Sequence, residues 1–110
     1  MHFNLQPKYF LQIKQGLKTA EGRINKPKFA KFELGDIITF SPNNSSEIIK
    51  AEVTYVKRFK SFKGMLADDI KSLLPDVGDV EAGVKIYESF ASYKQDQVEF
   101  GTISIGFKLI

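Results

Sequence analysis

The sequence predicts an α+β domain whose sheet is mainly antiparallel. Three observations carry this expectation. Two stretches alternate apolar and polar residues with a period of two. A turn signal, Asn43-Asn44-Ser45-Ser46, lies between two strand-like runs. Two further stretches space their apolar residues as helices do, and each begins with a helix-start residue. Strands joined by a hairpin and interrupted by helices imply helices set against an antiparallel sheet.

The elements follow in order. His2 to Leu5 reads as a strand. Pro7 suits the first position of a helix, Phe10, Ile13 and Leu17 form an apolar stripe, and Gly16 is a stop signal, giving a helix over 7–15. A strand is expected from Asp36 to Ser41, before the hairpin loop. In the next strand Ile49, Ala51, Val53 and Tyr55 share one face, and Lys50, Glu52 and Thr54 the other. A short helix is expected around Phe62 to Leu73. Asp79 can cap a further helix in which Val80, Val84, Tyr87 and Ala91 follow helical spacing. The last strand puts Ile103, Ile105, Phe107 and Leu109 on one face and Thr102, Ser104, Gly106 and Lys108 on the other, the pattern of a half-buried strand.

Composition narrows the function classes. A chain of 110 residues, 43% hydrophobic, suits one domain over residues 1–110 with a modest core. Cysteine is absent, which excludes a disulfide framework, a zinc ribbon and a thiol nucleophile together. No segment approaches the roughly 20 apolar residues of a membrane span or resembles a signal peptide, so a cytoplasmic protein without a membrane partner is expected. No dinucleotide fingerprint or P-loop occurs, and no cofactor is expected. His2 is the sole histidine and has no second metal-binding residue nearby, so it reads as a strand-end histidine, not a ligand. The net charge of +3 is unevenly placed. Residues 1–32 hold seven Lys/Arg and one acid; Lys50 to Lys63 holds five Lys/Arg and one acid. Two basic stretches on an otherwise acidic remainder favour a polyanionic partner.

Chemistry concentrates in Gly16-Leu17-Lys18-Thr19-Ala20-Glu21-Gly22-Arg23, at the junction of a helix signal and a strand signal. Glu21 and Arg23 lie two apart and project from one face if that run is extended. Arg offers a planar donor fork, Lys a point charge and Glu an acceptor for an amino group. An exposed Glu–Arg pair beside a solvated Lys is the simpler alternative, worth about 0–1 kcal/mol. A second candidate is Lys57-Arg58-Phe59-Lys60-Ser61-Phe62-Lys63, which interleaves cations with rings, as single-stranded RNA binding requires. There Phe62 reads as core, and Phe59 as either core or a stacking platform. Lys26-Pro27-Lys28-Phe29-Ala30-Lys31 reads as an exposed basic loop.

These blocks resemble the ASCH domain, a branch of the PUA-like superfamily of RNA-associated β-barrels. The resemblance rests on Pro7, Phe10, Ile13, Lys14, Gly16, Lys18, Thr19, Glu21 and Arg23; then on Gly35, Asp36, Ile38 and Phe40; then on Ser61, Phe62, Met65 and Leu66; and finally on Ile86, Tyr87 and Phe90. It departs after Phe90, where the family has a Tyr and this chain reads Ala91-Ser92-Tyr93-Lys94. The resemblance implies a small, mainly antiparallel β-barrel with two to three flanking helices. It also implies a cleft bordered by Lys18, Thr19, Glu21 and Arg23 that binds single-stranded RNA or a modified nucleoside, with Lys57, Arg58, Phe59 and Lys60 extending the footprint. Some PUA-like relatives are amidohydrolases that deacetylate acetylcytidine with a Lys, a Thr three residues later and a distal Glu. Lys18 matches that Lys, Glu21 occupies the Thr position, and Asp76, Asp79 and Glu81 lie near the expected distal acid. Lys18 and Glu21 are therefore the catalytic candidates of an enzymatic reading, whether amide hydrolysis or phosphodiester cleavage. A third reading is a regulatory domain without a nucleic-acid ligand.

Overall fold

A computed structural model describes residues 1–110. Five strands and four α-helices follow in order: β1 (His2–Leu5), α1 (Pro7–Lys14), β2 (Ala20–Ile24), β3 (Ile37–Pro42), β4 (Ile49–Phe59), α2 (Phe62–Leu73), α3 (Val80–Glu88), α4 (Tyr93–Phe100) and β5 (Thr102–Leu109). A 3₁₀ turn, Pro27–Phe29, lies between β2 and β3. The strands form one curled sheet in the order β1-β3-β4-β5-β2, a half-barrel with β1 and β2 at its open edges. Three pairings are antiparallel, and β1 runs parallel to β3.

Two cores cover the sheet. Inside the curl, Phe10 and Ile13 of α1 meet Phe3, Leu5, Ile38, Phe40, Ala51, Val53, Ile103, Ile105 and Phe107. On the outer side, Phe62, Met65, Leu66 and Leu73 of α2 and Tyr87 of α3 cover Ala20 and Ile24 of β2. Both faces of β5 are therefore buried. Thr102 and Ser104 are 0% and 4% exposed on the face expected to meet water, and Leu109 is exposed at the strand end. Thr102 Oγ1 is satisfied by the Ser61 carbonyl at 3.0 Å.

Three expectations change in detail. Leu17 is exposed because α1 ends at Lys14 and Gly16, at φ +79°, turns the chain away. Tyr55 does not share a face with Val53: a bulge between them shifts the register against β5, so Val56 packs on the inner core and Tyr55 on the outer one. A fourth helix, α4, follows α3. α3 ends at Glu88, so Ala91 lies beyond it, and Ser92, at φ +67°, redirects the chain into α4. The α4 segment shows no apolar stripe, and its Val98 is 86% exposed, so periodicity gave no sign of it.

The bulge seats the Tyr55 ring over Gly106, its cross-strand partner. A Cβ built on Gly106 falls 2.0 Å from Tyr55 Cε2, a separation that forces the ring out. We expect Gly106→Ala to cost about 1–3 kcal/mol in urea unfolding, the usual cost of overpacking. The cost should shrink in a Tyr55→Ala background. An equal cost in both backgrounds would show that the ring is not what the new methyl meets.

Candidate functional site

The seam between β1 and β2 opens into a cleft of about 210 Å³. Asn4 and Leu5 of β1 and Tyr9 of α1 form one wall. Ile86 and Tyr87 of α3, Phe90, and Tyr93 at the start of α4 form the other. Lys18 and the edge of β2, with Glu21, Gly22 and Arg23, lie between them. Strand alternation positions the acid and the arginine: Ala20 and Ile24 join the outer core, so Glu21 and Arg23 point together to the other side.

Glu21 is central and 6% exposed. Its Oε1 accepts the Gly22 N–H at 3.0 Å and lies 3.6 Å from Lys18 Nζ; its Oε2 lies 3.6 Å from an Arg23 terminal nitrogen. Both ion-pair distances exceed a direct hydrogen bond. The carboxylate therefore balances the cations without using up their donors. Lys18 is 2% exposed. Its backbone N–H bonds the Gln12 carbonyl at 3.1 Å, its Nζ donates to the Leu73 carbonyl, and the amine lies 5.6 Å from the Tyr9 ring centroid. Burial pushes the Lys18 amine below its usual pKa; Glu21 opposes that shift and Arg23 adds to it. For Arg23, burial works against the charge, but Glu21 and the Tyr93 hydroxyl more than offset it and hold the group above its usual value. The guanidinium carbon sits 5.0 Å from the Phe3 ring centroid, and Nε is buried without a partner. Burial also raises the Tyr87 hydroxyl well above its usual range, so this wall stays neutral.

Lys18, Glu21 and Arg23 thus meet in one cleft, and the other candidates stand apart from it. Thr19 is exposed and is held through its backbone, with its N–H on the Ser72 carbonyl at 3.0 Å. None of Lys57, Arg58, Phe59 and Lys60 lines the cleft. Strand alternation sends Lys57 toward Asp68 on α2, at 3.1 Å, and Arg58 to the Phe29 carbonyl at 3.0 Å. Phe59 is half-buried against the outer core, and Lys60 is exposed. Phe62 is fully buried and stacks on Tyr87, with centroids 4.6 Å apart. Asp76 pairs with Lys8 at 2.7 Å and accepts from Gln12, and Asp79 caps α3; neither these nor Glu81 lines the cleft. Tyr9, Tyr93 and Asn4 also line it, outside the Gly16–Arg23 run. Tyr9 lies one position off the apolar stripe of α1, which was the available signal. Tyr93 owes its placement to the Ser92 turn, which no periodicity reveals.

The unfolded chain holds a proton on Lys18 up to a pKa near 10.5, whereas the folded chain releases it earlier. Between the lowered value and 10.5 the unfolded state binds more protons, so this position's contribution to stability rises with pH through that window. Below the window both states are charged and the burial penalty is present in full. The wild-type stability relative to Lys18→Met, from urea unfolding at stepped pH, should therefore rise toward pH 10.5. A flat difference would mean that the amine is solvated in the folded protein.

No curated protein matches the chain. Among solved structures, it is similar to the crystal structure of hypothetical protein PH0355, with 33% identity and a TM-score of 0.86 over 99% of this chain and 97% of that one. It is also similar in fold to the solution NMR structure of protein PF0455 from Pyrococcus furiosus, with 24% identity and a TM-score of 0.73 over 100% and 98% of the two chains. The ASCH domain matches residues 3–108, which hold the half-barrel, the cleft and the Lys18–Glu21–Arg23 cluster. The chain belongs to the ASCH domain family, within the PUA-like superfamily.

Proposed function

We propose that the cleft binds one nucleobase or modified nucleoside, presented free or by single-stranded RNA. The ASCH domain is a PUA-like fold associated with RNA binding. The observation that carries the finer reading is a buried carboxylate held between two cations inside aromatic walls. A flat heterocycle fits such walls by stacking. Its amino group donates to Glu21, and its ring nitrogen or carbonyl accepts from Arg23. The cleft volume of about 210 Å³ is below the ~300–1,000 Å³ of drug-sized sites, which suits one base with its sugar and no duplex. Lys57, Arg58 and Lys60 contribute attraction at a distance, because they stand outside the cleft, while Phe59 packs on the outer core and offers no stacking platform.

A hydrolytic reading draws support from one feature, the buried amine of Lys18 with its lowered pKa, as a general base needs. Against it, Glu21 stands at the position of the amidohydrolase Thr, and no carboxylate from the later half of the chain lines the cleft. A carboxylate does not replace an activated hydroxyl nucleophile. We expect no deacetylation of acetylcytidine; clear turnover, lost in Lys18→Met, would establish hydrolysis instead.

Binding of ribonucleosides and short single-stranded RNA, followed through amide shifts, tests the main reading. Arg23→Ala should weaken binding about 10- to 100-fold, within the ~1–3 kcal/mol span of a bidentate base contact. RNA affinity should fall as salt rises, and Lys57→Ala with Lys60→Ala should lower it by only a few-fold. RNA affinity that is undetectable at low salt, or unchanged in Arg23→Ala, would sink the proposal.

A further inference from the structure

A second groove, of about 250 Å³, adjoins the cleft and shares Asn4, Arg23 and Tyr93 with it. Its charged lining is one-signed: Arg23, Lys26 and Lys28 face it, and no carboxylate does. The 3₁₀ turn Pro27–Phe29 fixes this arrangement. Its Phe29 side chain is 2% exposed and its carbonyl is held by Arg58 at 3.0 Å, which makes Arg58 a positioning residue for the groove wall. Lys28 pairs with no carboxylate and rests 5.3 Å from the Phe29 ring centroid. Lys26 is only loosely engaged, 4.0 Å from Asp96. His2 also borders the groove, but its ring nitrogens are occupied by Thr39 at 2.6 Å and Ser41 at 2.7 Å, so it shapes the wall and leaves the charge to the lysines. Arg23 is the one charged side chain that lines both cavities, and it keeps a buried Nε–H with no acceptor in the protein.

We propose that this groove is the phosphate subsite of the cleft, so that the ligand is a phosphate ester of the bound nucleoside, with its base on Glu21 and its phosphate between Lys26, Lys28 and Arg23. This rests on the nucleoside reading of the cleft. Lys28, which has no acidic partner, and Lys26, held only loosely by Asp96 at 4.0 Å, stand beside an arginine with an unpartnered donor, a set that matches a tetrahedral oxyanion. A base site that shares a wall with such a groove matches a nucleotide whose two halves diverge at Arg23. The phosphate belongs either to a mononucleotide or to an RNA strand, and the two differ in whether it is a monoester or a diester.

The test compares the four ribonucleosides with their 3′- and 5′-monophosphates and with dinucleotides, by titration of the full chain. The phosphorylated forms are expected to bind about tenfold more tightly, with amide shifts at Lys26, Lys28 and Phe29 as well as at Tyr87 and Phe90. A Lys26→Ala, Lys28→Ala variant should lose that advantage and bind the bare nucleosides unchanged, which also reports that it is folded. Its salt dependence for the phosphorylated ligand should be shallower by about one contact. A preference for a monoester assigns the groove to mononucleotides; one for a dinucleotide assigns it to RNA. Equal affinity for nucleoside and nucleotide, or an advantage that survives in the double variant, overturns the subsite and leaves the base cleft standing. Absence of binding by every ligand overturns both.

Discussion

An amine closed off from water lies where α1, β2 and the end of α2 come together. The Lys18 backbone is tied to Gln12 at the end of α1, its Nζ donates to Leu73 at the end of α2, and its charge is answered by Glu21 on β2. A buried ammonium without such partners carries a large desolvation cost and gives up its proton. The three elements must therefore converge as they do or leave the group unpaired. Their convergence sets the separation of the cleft walls, because α1 carries Tyr9 and the outer layer that starts with α2 carries Tyr87.

Glu21 makes that arrangement workable. One carboxylate stands between a lysine whose pKa burial lowers and an arginine that stays charged throughout. With Lys18 protonated, the three groups sum to one positive charge; with Lys18 neutral, they cancel. Pairing distances of 3.6 Å leave both cations with donors to spare. An incoming polar group joins this cluster without first breaking a short hydrogen bond between the charged side chains, which is the condition for preorganised recognition.

Much of this was legible from residue order. Period-two alternation identified β4 and β5, and the spacing of Glu21 and Arg23 placed both on one face of β2. What sequence did not convey was contact across the fold. Lys18 precedes its strand, so alternation says nothing of its direction, and its burial depends on Leu73, 55 positions away. The face switch at Tyr55 depends on one extra residue in β4 opposite β5, a register detail that local pattern cannot express. The interleaved run from Lys57 to Lys60 looked like one surface, but a strand sends neighbouring side chains to opposite faces, and Lys57 and Arg58 part accordingly. Helix α4 lacks an apolar stripe because its rings, Tyr93 and Phe100, pack on the outer core only from its two ends, while between them the polar Gln97 donates to Glu88 and accepts from the Phe62 N–H.

β1 reaches the sheet through β3 alone and has no strand on its other side. That unpaired side is where both cavities lie: Asn4 and Leu5 border the cleft, and His2, Phe3 and Asn4 border the groove. Such a one-sided strand is the kind of element that opens locally before the rest of a fold. A molecule seated in the seam stands where the missing strand would be. By mass action, anything that binds only the docked form of β1 holds that form in place. How firmly the first strand is fastened thus depends on the surrounding solution as well as on the chain.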